Sequence, residues 1–328
     1  MKLLTLSIAA YNVEKYIEDI LKKAVRCKNK DSLEILVIDD GGTDKTIEIA
    51  EEYEKKYPGV IIPIKKVNGG WGSTVNIGIR KATGRYFKLL DGDDYIDTDE
   101  LDSFLDFLKN ADSDMIYTSF RTFDDYTNKT LKEFEISGDL QNGEKYNIED
   151  VANFIYPRMH AVTFKLRILK ENNVKILENC FYTDVQYILD SMIYCNSVMI
   201  YKGITYNYRI ARSGQSVSME GLRKHYADHM KVTEELINQY YNLNINGNLK
   251  ELFFNRVNDM IEAQYIIFWK IKEGKSNDYV NFESFLKNKE KFYLSASKQI
   301  VAARVFSKLG LISIFCIIFN FLKPNVTI

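Results

Sequence analysis

Residues 85–94 read "RYFKLLDGDD": a strand-like run, Arg85 to Leu90, breaks off into the carboxylates Asp91, Asp93 and Asp94. Like charges gathered at the end of a buried strand repel one another, so stability alone does not call for them. Two readings account for the segment. One is a solvated turn with helix-capping aspartates, Asp97 and Asp99 serving the helix expected near 100–109. The other is a seat for a hard divalent cation, Mg2+ or Mn2+, which takes carboxylate oxygens together with phosphate oxygens from a ligand. D-x-D alone is a weak signal. At the end of an apolar strand inside a strand–helix alternation, it favours the cation.

That alternation runs through the first 120 residues. "LLTLSIA" (3–9) is a strand, and Asn12 is placed to cap a helix with apolar residues at Val13, Ile17, Ile20, Leu21, Ala24 and Val25. "LEILVI" (33–38) is a continuous apolar run, as in a parallel strand buried on both faces. A second helix starts near Thr43 and stops before Pro58. "VIIPI" (60–64) is a third strand despite Pro63. A helix runs from about Ser73 to Gly84, and "DMIYTSF" (114–120) is a fifth strand. The pattern predicts an α/β fold with a mostly parallel sheet covered on both faces. Ligands bind such sheets at the carboxyl ends of the strands. "AYN", "DDGGTD" and "DGDD" follow three strands and should converge on one edge.

The 328 residues, 46 % hydrophobic, suffice for one large domain with an appendage, or for two domains. Forty-four basic and 45 acidic residues leave a net charge of −1, which argues against a general nucleic-acid partner. Cys27, Cys180, Cys195 and Cys316 are scattered without metal-type pairing, as expected of reduced cysteines. "MKLLTLSIAAYNVEKY" resembles a signal peptide for ten residues and then turns polar, so it reads as the first core strand. Past "RSGQSVS" the strand signal ends, and 220–243, 249–272 and 278–308 read as helices. The chain therefore divides into an α/β region (1–215), a helical region (216–308) and an apolar tail (309–328). The tail's "LGLISIFCIIFNFL" (309–322) falls short of the ~20 residues that span a bilayer. With Lys298, Arg304 and Lys308 ahead of it, the run reads either as a packed helix or as a peripheral membrane contact.

Other motifs have competing readings. Asp39 and Asp40, at the end of a strand and before two glycines, can accept hydrogen bonds from a base or ribose, or simply cap a turn. "NGGWGSTVNIG" (68–78) mimics a dinucleotide fingerprint, but Val75 stands at the third glycine position and the motif follows the third strand. No G-x-x-x-x-G-K-[ST] or G-x-S-x-G occurs. Asp184 opens an amphipathic helix, where it either compensates the dipole or acts as a general base. His225 and His229 lie one helical turn apart and read as a surface or packing pair rather than a zinc site, for which further ligands and an H-E-x-x-H are wanting.

In this order the motifs resemble a family 2 glycosyltransferase of the GT-A fold, of the inverting, bacterial surface-polysaccharide type. "LSIAAYN" resembles the family's opening strand, with Ala9 for the usual proline. "ILVIDDGGTDKT" resembles V-D-D-G-S-x-D-x-T, with Gly42 for serine. "NGGWGSTVNIGIRKATGRYFKLLDGDD" resembles the run that ends in D-x-D-D, with Val75 for the common arginine. "FYTDVQY" resembles the later E-D motif, with Thr183 for glutamate. The resemblance is strong over 1–120, partial to about 215 and faint beyond. It implies a GT-A nucleotide-binding sandwich followed by a helical region. The implied nucleotide contacts are the Ala9 backbone, Tyr11, Asn12, Asp40, Asn68 and Asp91. Asp93 and Asp94 would serve Mg2+ or Mn2+, and Asp184 would be the base. The implied donor is a nucleotide-diphosphate sugar, UDP-linked, and the acceptor a glycan or lipid-linked hydroxyl. The implied location is cytoplasmic, peripheral at the inner face of the membrane.

Two rivals stand beside it. A sugar-phosphate nucleotidyltransferase would carry a glycine-rich basic first loop, and "AAYNVEKY" is not one. A catalytically degenerate nucleotide-sugar-binding protein is suggested by Val75 and Thr183, and opposed by Asp91, Asp93, Asp94 and Asp184.

Overall fold

The computed structural model describes residues 2–210, 218–271 and 276–323. They fall into two compact units, Met1–Arg212 with Gly247–Leu249, and Ser213–Asn246 with Lys250–Ile328.

The first unit is built on a nine-stranded sheet. Its strands are β1 (Leu4–Ala10), β2 (Leu33–Asp39), β3 (Ile61–Lys65), β4 (Tyr86–Asp91), β5 (Met115–Asp124), β6 (Thr130–Phe134), β7 (Lys145–Asn147), β8 (Val162–Lys165) and β9 (Ser197–Ile210). They lie in the order β3-β2-β1-β4-β8-β5-β9-β7, with β6 paired to β5. The first four strands are parallel. β2 is buried at every position, which is why its sequence is an unbroken apolar run rather than an alternating one. Pro63 is tolerated because β3 is an edge strand, where a missing N–H breaks no second ladder. Beyond β4 the sheet turns mixed, because β8 runs against both β4 and β5.

From β1 the chain steps outward through β2 to β3, then returns to lay β4 on the other side of β1. The strand order therefore reverses at β1/β4, and a crevice opens at the carboxyl ends there. The register puts Ala10 opposite Asp39 and Ala9 opposite Asp91, so the three loop-bearing ends are level.

Helices α1 (Glu14–Val25), α2 (Thr46–Lys56), α3 (Trp71–Lys81) and α4 (Thr98–Asn110) connect these strands. α5 (Ile148–Val151), α6 (Leu166–Glu171) and α7 (Asp184–Met192) follow. Two expected caps differ. Asn12 has φ +53° and lies outside the helix, so Val13 occupies the N-cap. Asp97 sits at the N-cap of α4 without bonding it; its carboxylate takes Arg121 at 3.0 Å instead.

The second unit is helical: α8 (Met219–Asn242), α9 (Gly247–Ile271), α10 (Asn277–Lys287), α11 (Glu290–Leu294), α12 (Lys298–Lys308) and α13 (Ile312–Leu322). The single helix expected over 278–308 is three, broken near Asn288 and Ser295–Ser297. Tyr265 and Phe268 of α9 meet Tyr279 and Phe282 of α10 in an aromatic core, and Trp269 packs beside Tyr265. Arg304 and Glu283 form a largely buried ion pair beside Tyr265. His225 pairs with Asp228 and His229 with Gln264, as fits a packing pair.

Of the apolar tail expected over 309–328, residues 324–328 lie outside the described residues and the rest holds α13. Phe315 and Phe319 pack on Trp269 with ring centroids 5.0 and 4.8 Å away, and Asn320 donates to the Trp269 carbonyl at 2.8 Å. The opposite face leaves Ile314, Ile317, Ile318, Phe321 and Leu322 exposed, Phe321 by 83 %. No helix among the described residues is long and apolar enough to cross a membrane.

Candidate active site

The loops after β1 and β2 are stapled to each other. The Asn12 carboxamide oxygen accepts from the Thr43 amide at 2.8 Å, and the Thr46 hydroxyl accepts from the Val13 amide at 2.9 Å. Asp44 accepts from both the Glu14 and the Thr46 amides, at 2.9 and 3.0 Å, so it caps two helices. Tyr11 stands 53 % exposed at the rim, its phenol ring available to a planar partner.

Asp39 and Asp40 are both buried, and they differ. Asp40 accepts from Lys66, from the Gly69 amide at 2.9 Å and from the Gly70 amide at 2.8 Å. Its carboxylate thus ties β2 to the start of α3. Gly70, at φ +78°, can turn its amide that way, which a side chain there would hinder. Asn68 donates to the Asp40 carbonyl at 2.9 Å, holding the same loop. Asp39 accepts from the Gly42 amide through Oδ1 at 3.0 Å, while its buried Oδ2 has no partner among the described residues.

The acid loop follows β4. Gly92 is required between the aspartates, because a Cβ there would lie 2.9 Å from the Ala9 carbonyl and from Val13 Cγ2. Asp91 accepts from Trp71 Nε1 at 2.8 Å. Burial, and next the charge of Asp93, push the Asp91 carboxyl up to about 7. Asp94 is buried; its Oδ2 accepts from the Tyr206 hydroxyl at 2.7 Å and its Oδ1 from the Arg209 amide at 2.7 Å. Burial and the neighbouring Asp93 and Asp91 charges raise it well above the carboxylate range. Arg209 also donates from Nε to the Asp93 carbonyl at 2.6 Å.

Asp184 opens α7, whose Tyr187 packs edge-on against Trp71 and Phe164. Its charge helps raise Asp91, which places the carboxylate within electrostatic reach of the acid loop. The structure thus sets Asp91, Asp93 and Asp94 on one loop with Asp184 within electrostatic reach of it, and gathers Ala9, Tyr11, Asn12, Asp40 and Asn68 along the neighbouring strand ends.

Sequence reasoning passed over several residues that build this site. His160 offers a ring nitrogen within 4.8 Å of oxygens from Asp91 and Asp94. Burial, and then the Lys88 charge, hold its imidazole down to about 3, so the ring is neutral. Lys88, wholly buried on β4, donates to the His160 carbonyl at 2.9 Å, and burial lowers its ammonium to about 7. Tyr206 and Arg209 come from β9, more than 110 residues after the loop they support. In "TYNYRI" (205–210) no local signal sets them apart from ordinary strand residues. The carboxylate oxygens fit Mg2+ or Mn2+, and the neutral imidazole adds a nitrogen donor that Mn2+ accepts more readily than Mg2+.

Comparison with known proteins bears on these loops. The family model described as glycosyl transferase family 2 matches residues 5–170, which hold β1 to β4 and the whole acid loop. The minor teichoic acid biosynthesis protein GgaB of Bacillus subtilis is 25 % identical over 229 residues, covering 68 % of this chain and 25 % of the relative. The poly(ribitol-phosphate) beta-glucosyltransferase of Bacillus spizizenii is 27 % identical over 226 residues, covering 66 % of this chain and 33 % of the relative. The chain thus spans a quarter to a third of the length of these curated relatives. The crystal structure of S. aureus TarS residues 1–349 in complex with UDP-GlcNAc superposes with a TM-score of 0.71 at 17 % identity, covering 99 % of this chain and 92 % of that one. That likeness establishes the GT-A fold. With half of its length matched by the family model, and the matched half carrying the converging strand ends, the chain belongs to glycosyl transferase family 2.

Proposed function

We propose that this chain is an inverting glycosyltransferase that moves a sugar from a UDP-sugar to a hydroxyl of a glycan or lipid-linked acceptor. The carrying observation is the gathering of Asp91, Asp93 and Asp94 on one loop at the strand ends where the sheet order reverses, with the Asp184 charge felt at Asp91. The relatives' names, a teichoic acid biosynthesis protein and a poly(ribitol-phosphate) transferase, point to a bacterial surface polymer as acceptor.

On this reading Tyr11, Asn12, Asp40 and Asn68 line the nucleotide, with the Ala9 backbone beside them and Asp91 near the ribose and diphosphate. Asp93 and Asp94 hold Mg2+ or Mn2+, with Asp91 and His160 adjoining. The bound cation supplies charge stabilisation to the departing diphosphate. Asp184 takes the proton of the acceptor hydroxyl as its oxygen attacks the anomeric carbon; the bond to the diphosphate breaks on the opposite face, and configuration inverts. The test pairs calorimetry with a transfer assay. Asp184→Asn should bind UDP-sugar like the parent while transfer falls ~10²–10⁴-fold. Undiminished transfer by that variant, or full activity in EDTA, contradicts the assignment.

The same reading extends to location. An exposed apolar face on α13, flanked by Lys308 and Lys323, suits shallow insertion into an anionic membrane surface, with the catalytic unit on the cytoplasmic side. It would bring the enzyme to lipid-linked acceptors.

A further inference from the structure

A cavity of about 300 Å³ opens in the first unit, walled by Tyr117, Phe120, Phe134, Phe154, Tyr156 and Arg158. A ladder of rings joins it to the acid loop. Phe134 stacks on Phe120 at 4.4 Å and 4°, and Phe120 stacks on His160 at 5.1 Å. His160 meets the edge of Tyr206 at 4.7 Å, and Tyr206 donates to Asp94. The cavity therefore begins two rings away from the carboxylates.

Its outer wall does not look like incidental surface. Phe154 and Tyr156 are 63 % and 47 % exposed, two large aromatic side chains on one short segment. That segment is fixed, since the Tyr117 hydroxyl donates to the Tyr156 carbonyl at 3.3 Å. The Arg158 guanidinium lies over Phe134 at 4.9 Å and Tyr156 at 5.5 Å. It makes no ion pair among the described residues, and stacking leaves the planar N–H fork free to meet an oxyanion bidentately. The lining also holds Glu135, Ile136 and Ser137, so ring faces share the cleft with the Arg158 cation and one exposed carboxylate; aromatic faces with a few convergent polar groups describe a ligand site rather than a gap in packing. Rigid aromatic faces also give contact area at little entropic cost.

We propose that this aromatic cleft is the acceptor-side subsite. It holds a polyhydroxylated unit against the faces of Tyr156 and Phe154, seats an adjoining phosphate or carboxylate on Arg158, and presents the next unit's hydroxyl to the acid loop. The proposal rests on the glycosyltransferase reading and names its substrate class: an anionic polyol or saccharide chain.

The test uses the full chain with Mn2+ and UDP, titrated by saturation-transfer NMR. The probes are a ribitol-phosphate oligomer, a uronate-containing tetrasaccharide and a neutral tetrasaccharide. One anionic probe should bind more tightly than the neutral one, and which of the two binds names the anion. Tyr156→Ala and Arg158→Ala should each weaken it about tenfold or more, the scale of one charge-assisted or stacking contact. Arg158→Lys, which keeps charge but loses the fork, should fall between. UDP affinity and melting temperature should stay at the parent values in all three. Equal binding by parent and variants overturns the proposal, as does UDP binding without binding of any probe. Failure of the parent to bind UDP would remove the glycosyltransferase reading instead, while the probe titrations still judge the cleft.

Discussion

Tyr206 clasps the acid loop through Asp94: its hydroxyl donates to Asp94 Oδ2 at 2.7 Å and accepts from the Asp91 amide at 3.1 Å. One phenol oxygen thus fixes both ends of D-G-D-D. Tyr206→Phe leaves a buried carboxylate oxygen and a backbone amide unmatched. It should destabilise the chain by about 1–3 kcal/mol in urea melts. A variant of unchanged stability would show that water fills the role.

The raised carboxyl of Asp91 sets a pH dependence. Its ordinary value of 3.8 applies in the unfolded chain, and about 7 in the folded one. Between these values the unfolded chain loses its proton while the folded chain keeps it, so unfolding is favoured as pH rises. The contribution is neutral in acid and becomes fully destabilising above about pH 7. Asp91→Asn, which can still accept from Trp71, should therefore melt higher than the parent at pH 8 in EDTA and equally at pH 4. The same variant should lose sugar transfer.

Asp40 is expected to matter to folding whatever it contributes to binding. Asp40→Ala frees Lys66 and the Gly69 and Gly70 amides at once. Removing one partner of a buried, multiply bonded pair costs about 3–5 kcal/mol at the upper end. Thermal melts compared with Asp39→Ala, which frees one amide, should rank Asp40 as the costlier loss.

For α13 the expected outcome is separable from stability. Ile317→Asp with Phe321→Asp alters only exposed positions, so the melting temperature should hold while sedimentation with anionic vesicles is lost. Equal sedimentation by parent and variant would leave the helix without a membrane role.

Much of the nucleotide half was legible from local pattern. β2 and β4 end in acid at the positions their apolar runs predict, because buried parallel strands leave no freedom in where polarity resumes. The mixed half was not. β8 is four residues long and antiparallel between β4 and β5, a placement decided by tertiary pairing and invisible to periodicity. The supporting residues Lys88, His160 and Tyr206 look like ordinary strand or loop residues until the sheet closes over them. Gly42, which departs from the family's serine, has a local reason. A Cβ there would lie 2.7 Å from Asp39 Oδ1 and 3.1 Å from Asn12 Oδ1, space the Asn12 staple already uses.

That staple has a consequence for how a ligand is received. Because Asn12, Asp44 and Thr46 lock the first two loops together before anything arrives, this wall forfeits little conformational freedom when a nucleotide settles against it. Tyr11, exposed at the rim, is not part of the staple. On the proposed reading the nucleotide meets a preformed wall here, so affinity differences among nucleotides should arise in how fast they escape rather than in how fast they enter.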